Sequence, residues 1–187
     1  MNLKLITPPT NEPLSLEEVK LYLRVDGAEE DTLIQSLITV AREQCESITR
    51  RALVTQTYEL TLDDFPSENV ISIPLPPLQS VASIMYKDDK GIETTLNPSN
   101  YIVDIDSEPG KIVLIDRPSF TPYPSSAVKI TFTCGYSSNI PVSVVQAMKL
   151  LVSHFYENRD IVINQSVNQV PFTVDALLSP YRIFRWL

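Results

Sequence analysis

Between Pro141 and Arg159 apolar residues recur at spacings of three and four, at Val144, Val145, Met148, Leu151, Val152 and Phe155, while Gln146, Lys149, Ser153 and Glu157 fall off that stripe. This is the period of an α-helix with one buried face. Pro141 suits the first helical position, where its missing N–H would have had no partner. A second helical pattern, Leu33, Ile34, Leu37, Ile38, Ala41, Cys45 and Ile48, follows the acidic run Glu29-Glu30-Asp31, which suits the positive end of a helix dipole. A short helix precedes it. Ser15 and Glu18 form a capping box, Leu16, Val19 and Leu23 give a narrow apolar face, and Asp26-Gly27 is expected to close it.

After Leu53 the period changes to two. Thr55–Leu62 alternates and is rich in Thr, Tyr and Leu, and strands are expected again at 70–73, 81–86, 92–96, 101–105, 112–115 and 128–132. Lys87–Gly91 and Ser107–Gly110 read as hairpin connections. Pro74, Pro76 and Pro77 read as a stiff connector between strands, since proline deletes a ladder bond. Residues 1–14, with Pro8, Pro9 and Pro13, have no periodic pattern and read as an extended arm. Beyond Asp160 the helical pattern lapses into the uncharged loop Asn164–Gln169, after which Val174–Ser179 can form a short helix.

The fold class is therefore α+β, in one domain of residues 1–187: an arm (1–14), a helical core (15–51 with 141–187) and an antiparallel β-rich section inserted between its halves (52–136). The chain ends on the apolar Tyr181-Arg182-Ile183-Phe184-Arg185-Trp186-Leu187, which either folds back on the core or is held for a partner, aromatic and Arg residues being common interface anchors. Arg42, Arg50 and Arg51 gather toward the C-terminal half of the second long helix. A favourable dipole interaction accounts for them there, with a partner contact as the alternative.

Composition narrows the function. Fifteen Lys plus Arg against 23 Asp plus Glu give a formal charge of −8, which argues against a surface that binds DNA by neutralising phosphates. An acidic surface can still face DNA that only has to pass. Cys45 and Cys134, two cysteines in 187 residues, imply no disulfide framework and read as buried thiols. The N-terminus lacks an apolar leader, and no apolar run approaches the ~18 residues of a membrane span, so the chain reads as made and kept in the cytosol, with no membrane partner.

No catalytic constellation stands out. His154 is the sole histidine, so two histidines of one chain cannot share a metal, and two Cys with one His make a poor zinc set at these separations. A Cys134–His154 nucleophile pair is arithmetically possible but lies in no motif. The carboxylate pairs Asp63-Asp64, Asp88-Asp89 and Asp104/Asp106 read as turn or solvated-face residues before acid–base or cation sites. Phosphate-binding loops and nucleophile elbows are absent. No catalytic, cofactor or metal residue is expected, and the balance leans toward structure or binding.

The chain resembles the tailed-phage head–tail connector (head completion or adaptor) proteins, in the long form with a β-rich middle. The resemblance rests on I-T-P-P-T at Ile6–Thr10, S-L-E-E-V-K-x-Y-L-R-V-D at Ser15–Asp26, E-D-x-L-I-x-x-L-I at Glu30–Ile38 and A-L-V-T-Q-T at Ala52–Thr57. It continues through I-P-L-P-P-L-Q-S-V at Ile73–Val81, F-T-x-G-Y at Phe132–Tyr136, Q-A-M-x-L-L-V-x-H-x-Y-E-N-R at Gln146–Arg159 and D-A-L-L-x-P-Y-R at Asp175–Arg182. The chain departs from the pattern at Phe155, where Trp is more usual, and in its ending from Phe184. The resemblance implies a non-enzymatic virion protein, made in the bacterial host cytoplasm and needing no cofactor. It further implies a ring of copies below the portal that extends the DNA channel and offers the tail attachment site.

The implied partners are other copies of the chain, the portal protein and a tail-terminator or stopper protein, with DNA passing through unbound. Tyr156, Arg159, Tyr181, Arg182, Phe184, Arg185 and Trp186 are the expected partner-contact residues. Removing residues 171–187 is expected to leave a folded protein that fails to attach to portal-bearing heads. The alternatives are another virion or baseplate module whose β section holds a partner or glycan, and a small hydrolase using Cys134 with His154 or the aspartates.

Overall fold

A computed structural model describes residues 1–158 and 172–184. Along the chain come β1 (Asn2–Thr7), α1 (Leu16–Leu23), α2 (Asp31–Thr49), β2 (Gln56–Leu62), β3 (Val70–Ser72) and β4 (Leu78–Lys87). They are followed by β5 (Glu93–Thr95), β6 (Tyr101–Asp104), β7 (Lys111–Leu114), β8 (Val128–Cys134), α3 (Val142–Glu157) and α4 (Phe172–Leu178). The fold is α+β, with helices toward both ends and antiparallel strands between them. It divides into two compact units, Met1–Thr10 with Val54–Ser137, and Asn11–Leu53 with Ser138–Leu187.

The first unit holds a five-stranded sheet in the order β1-β2-β8-β4-β5 and a three-stranded sheet in the order β3-β7-β6. Strict alternation along β8 buries Val128, Ile130, Phe132 and Cys134. Its register sets Leu60 and Ile84 on either side of Ile130, so one rung carries three side chains with no exposed surface. Such cross-strand contacts are the unit of sheet stability. Both expected hairpins form. At the first, the Asp88 carboxylate accepts the N–H groups of Lys90 and Ile92, and Gly91 turns the chain at φ 84°. Residues 2–7 of the expected arm are a strand, β1, paired antiparallel with β2 from Asn2↔Thr61 to Thr7↔Thr57.

In the second unit α2 and α3 each pack against the other three helices. Ser15 caps α1 as expected, its hydroxyl accepting from the Glu18 N–H at 3.2 Å while Glu18 returns a bond to the Ser15 N–H. The helix ends earlier than expected, at Arg24 in the left-handed conformation (φ 58°). Asp26-Gly27 belongs instead to the turn into α2, where Lys20 donates to the Gly27 carbonyl and pairs with Asp31 at 2.6 Å. Pro141 sits at the cap of α3 with extended ψ, one residue before the expected place. The buried face of α3 is Val144, Ala147, Met148, Leu151 and Val152, with Val145 and Phe155 only half-buried. Ala147 carries little hydrophobic weight in a sequence pattern yet has no exposed surface.

Candidate partner-docking site

The expected contact residues that are described lie in the helical unit at two separate places, Tyr156 beside the start of α2 and Tyr181, Arg182 and Phe184 beside its end. Val174 and Leu178 are fully buried and hold α4 in the helical core. A 3-10 turn, Ser179–Tyr181, then directs the chain along the end of α2. Two bonds fix it there: Arg51 Nε donates to the Tyr181 carbonyl at 2.6 Å, and the Ile183 N–H donates to the Thr49 carbonyl at 3.0 Å. The second satisfies a carbonyl that a helix C-terminus leaves open. Arg182 pairs with Asp175, and Phe184 emerges 77 % exposed. The segment therefore folds back as far as Ile183, and the Phe184 side chain after it stands exposed. Because Val174 and Leu178 belong to the core, removing 171–187 would open that core, contrary to the expectation of a folded truncated protein.

The segment leaves an open cleft of about 430 Å³ lined by Ser47, Ile48, Arg50, Arg182, Ile183 and Phe184. Its lining combines the apolar Ile48, Ile183 and Phe184 with the guanidinium groups of Arg50 and Arg182, so it suits an acidic segment with some apolar surface. Tyr156 is half-buried at the end of α3, and its hydroxyl donates to the Glu30 carboxylate at the start of α2. Arg159, Arg185 and Trp186 lie outside the described residues.

Sequence reasoning missed the role of two arginines. Arg42 is buried, with Nε 2.8 Å from Glu12 and Nη1 2.8 Å from Glu46. Burial opposes its charge, yet the Glu12 hydrogen bond and the neighbouring carboxylates hold its pKa above the ordinary arginine value. Arg51 is buried as well and braces the terminal segment. A general dipole effect concealed both specific partners, because Glu12 and Tyr181 are remote in sequence.

The groups considered for chemistry are held in local structure. Asp104 accepts from the hydroxyl and N–H of Ser107 and from the Asp106 N–H, and these bonds lower its pKa, the hydroxyl most. Asp106 lies beyond the end of β6, so the two carboxylates do not share a strand face. Asp63 accepts from the Ser126 N–H at 2.9 Å and Asp64 pairs with Arg117 at 3.1 Å. Cys134 ends β8 in the β unit, fully buried, and His154 lies on α3 in the helical unit beside Asn158. Among the described residues no group of three or more His, Cys, Asp or Glu could hold a metal ion, and no helix is long and apolar enough to cross a membrane.

The model of the head completion protein family matches residues 12–184. The chain belongs to the head completion protein family. Its members are structural proteins of the phage head–tail junction, which the resemblance had implied. Solved structures carry the same fold. A chain in the neck of an empty gene transfer agent particle, computed with C6 symmetry, is 25 % identical over 100 % of this chain and 98 % of that one, with a TM-score of 0.82. A chain of the native gene transfer agent virion is 26 % identical with the same coverage and TM-score. The neck of the native particle computed with C12 symmetry gives 24 % identity and a TM-score of 0.80, which speaks to fold. No curated protein matches this head completion protein in sequence.

Proposed function

We propose that this head completion protein acts as one connector domain in a ring below the portal, where it extends the DNA channel and offers the tail attachment site. The observation that carries this reading is the likeness over the full chain, at a TM-score of 0.82, to a chain of a particle neck. Its partners are further copies of itself, the portal protein and a tail-terminator or stopper protein. Tyr156, Arg159, Tyr181, Arg182, Phe184, Arg185 and Trp186 meet these neighbours. DNA passes without specific binding, along a wall that a charge of −8 per copy makes repulsive wherever the acids face inward. The protein is made in the host cytoplasm and works as part of the virion, without a cofactor or catalysis.

The test is negative-stain imaging of the purified protein mixed with portal-bearing, tail-less heads. A ring of new density at the portal vertex is the expected result. Heads without added density would overturn the reading, and density elsewhere on the particle would favour a baseplate or other virion module.

A further inference from the structure

We propose that the cleft at the C-terminal end of α2 receives the α1–α2 turn of a second copy of this chain, so that the two ends of α2 carry the two halves of the ring contact. This rests on the ring reading above and names the partner of the cleft.

On a chain of net charge −8, Arg50, Arg51 and Arg182 are gathered at one corner, against Asp175. Arg51 is buried and Arg182 is paired, which leaves Arg50 to face solvent. Its side chain makes no hydrogen bond or ion pair among the described residues, and it occupies the left-handed conformation (φ 57°), where glycine is the usual residue.

The opposite end of the same helix carries the opposite sign. Residues 24–31 hold Arg24 against Asp26, Glu29, Glu30 and Asp31. Asp31 is paired with Lys20 and Glu30 accepts from Tyr156, but Asp26 and Glu29 stand exposed in the turn with no ion pair among the described residues.

The spacing is fixed by the helix. The 19 residues of α2 separate the two ends by about 28 Å at ~1.5 Å per residue. A head-to-tail contact needs two different, complementary patches on one subunit at a fixed separation, and a rotation that closes turns such a contact into a ring. The half-buried Ile48 and Ile183 of the cleft lining would then cover the small apolar part of the turn, Ala28. A nucleic-acid phosphate is the competing occupant. The net acidity of the chain and the prior engagement of Arg51 and Arg182 disfavour it.

The experiment is sedimentation velocity on the full-length protein across concentration at low and high salt. Wild type should self-associate reversibly, more weakly as salt rises. Arg50→Glu and Glu29→Arg should each lower the association constant about tenfold or more, because like charges then face each other. The chain carrying both changes should recover most of that loss. Both positions are exposed, and unchanged melting curves will confirm that the variants fold. Association indifferent to the single reversals, or not recovered by the pair, overturns the contact while leaving the ring at the portal standing. A wild type that never associates overturns it too, as does low-salt retention of a short DNA duplex that Arg50→Glu abolishes. The absence of a ring at portal vertices would instead overturn the underlying reading, whatever the reversals do.

Discussion

Arg42 in the middle of α2 reaches back to Glu12, Nε to Oε2 at 2.8 Å, and so ties the segment ahead of α1 to the helical core. Thr39 holds the other oxygen of the same carboxylate at 2.9 Å. A buried guanidinium that loses a partner keeps its desolvation penalty, although Glu46 would remain on the other side. Glu12→Ala should therefore cost about 1–3 kcal/mol. Urea denaturation would read this as a lower midpoint with an unchanged slope, and an unchanged midpoint would show that the pair contributes nothing.

Cys45 gives a pH-dependent test. Burial, with the nearby Glu46 charge adding, pushes its thiol up to about 12 from the ordinary 9.0. The folded state favours the protonated thiol, so its contribution to stability is fully present below 9.0 and is lost as pH rises toward about 12. Iodoacetamide at pH 8 should leave Cys45 unmodified in the folded protein and label it in denaturant, as mass spectrometry of its peptide would report. Labelling at equal rates in both states would contradict the burial.

Gly135 sits at φ +107°, and a Cβ added there would lie 2.0 Å from the Val54 carbonyl oxygen. Backbone must move, because neither atom belongs to a flexible side chain. Gly135→Ala should cost at least the ~1–3 kcal/mol of a residue forced into a sparsely populated conformation. Chemical denaturation measures it, and a near-neutral result would mean that the turn after β8 relaxes freely.

The C-terminal segment separates a structural residue from a candidate contact. Val174 has no exposed surface, so Val174→Ala should cost about 2 kcal/mol. Phe184 is 77 % exposed, and Phe184→Ala should stay within about 0.5 kcal/mol of wild type in a thermal melt while reducing attachment to portal-bearing heads. Loss of stability at Phe184, or full attachment without its ring, would remove it from the contact surface.

Legibility followed the range of the forces involved. The stripe Val144, Met148, Leu151 and Val152 was readable because helical period and burial coincide within a few residues, as they do along β8 and in the Ser15 capping box. The pairing of β1 with β2 was not, since residues 2–7 carry no alternation of burial and take their strand form from a partner more than forty residues further along the chain, as Leu5↔Tyr58 and Asn2↔Thr61 show. Arg24 and Arg50 end α1 and α2 in the left-handed conformation, where glycine is the usual signal, and neither position carries one, so the exact helix ends were not legible.

By itself the sequence determined the α+β order of elements, the buried faces of the long helices, the hairpin turns and the family, since each is written in local period or in motifs along the chain. Tertiary structure decided which charges are spent and which are available. It bound Arg42 to Glu12, Arg51 to the Tyr181 carbonyl and Arg182 to Asp175, and it left Arg50 and Phe184 facing outward. Those outcomes depend on groups brought together across as many as 130 residues of chain, and no local pattern encodes a distance of that kind.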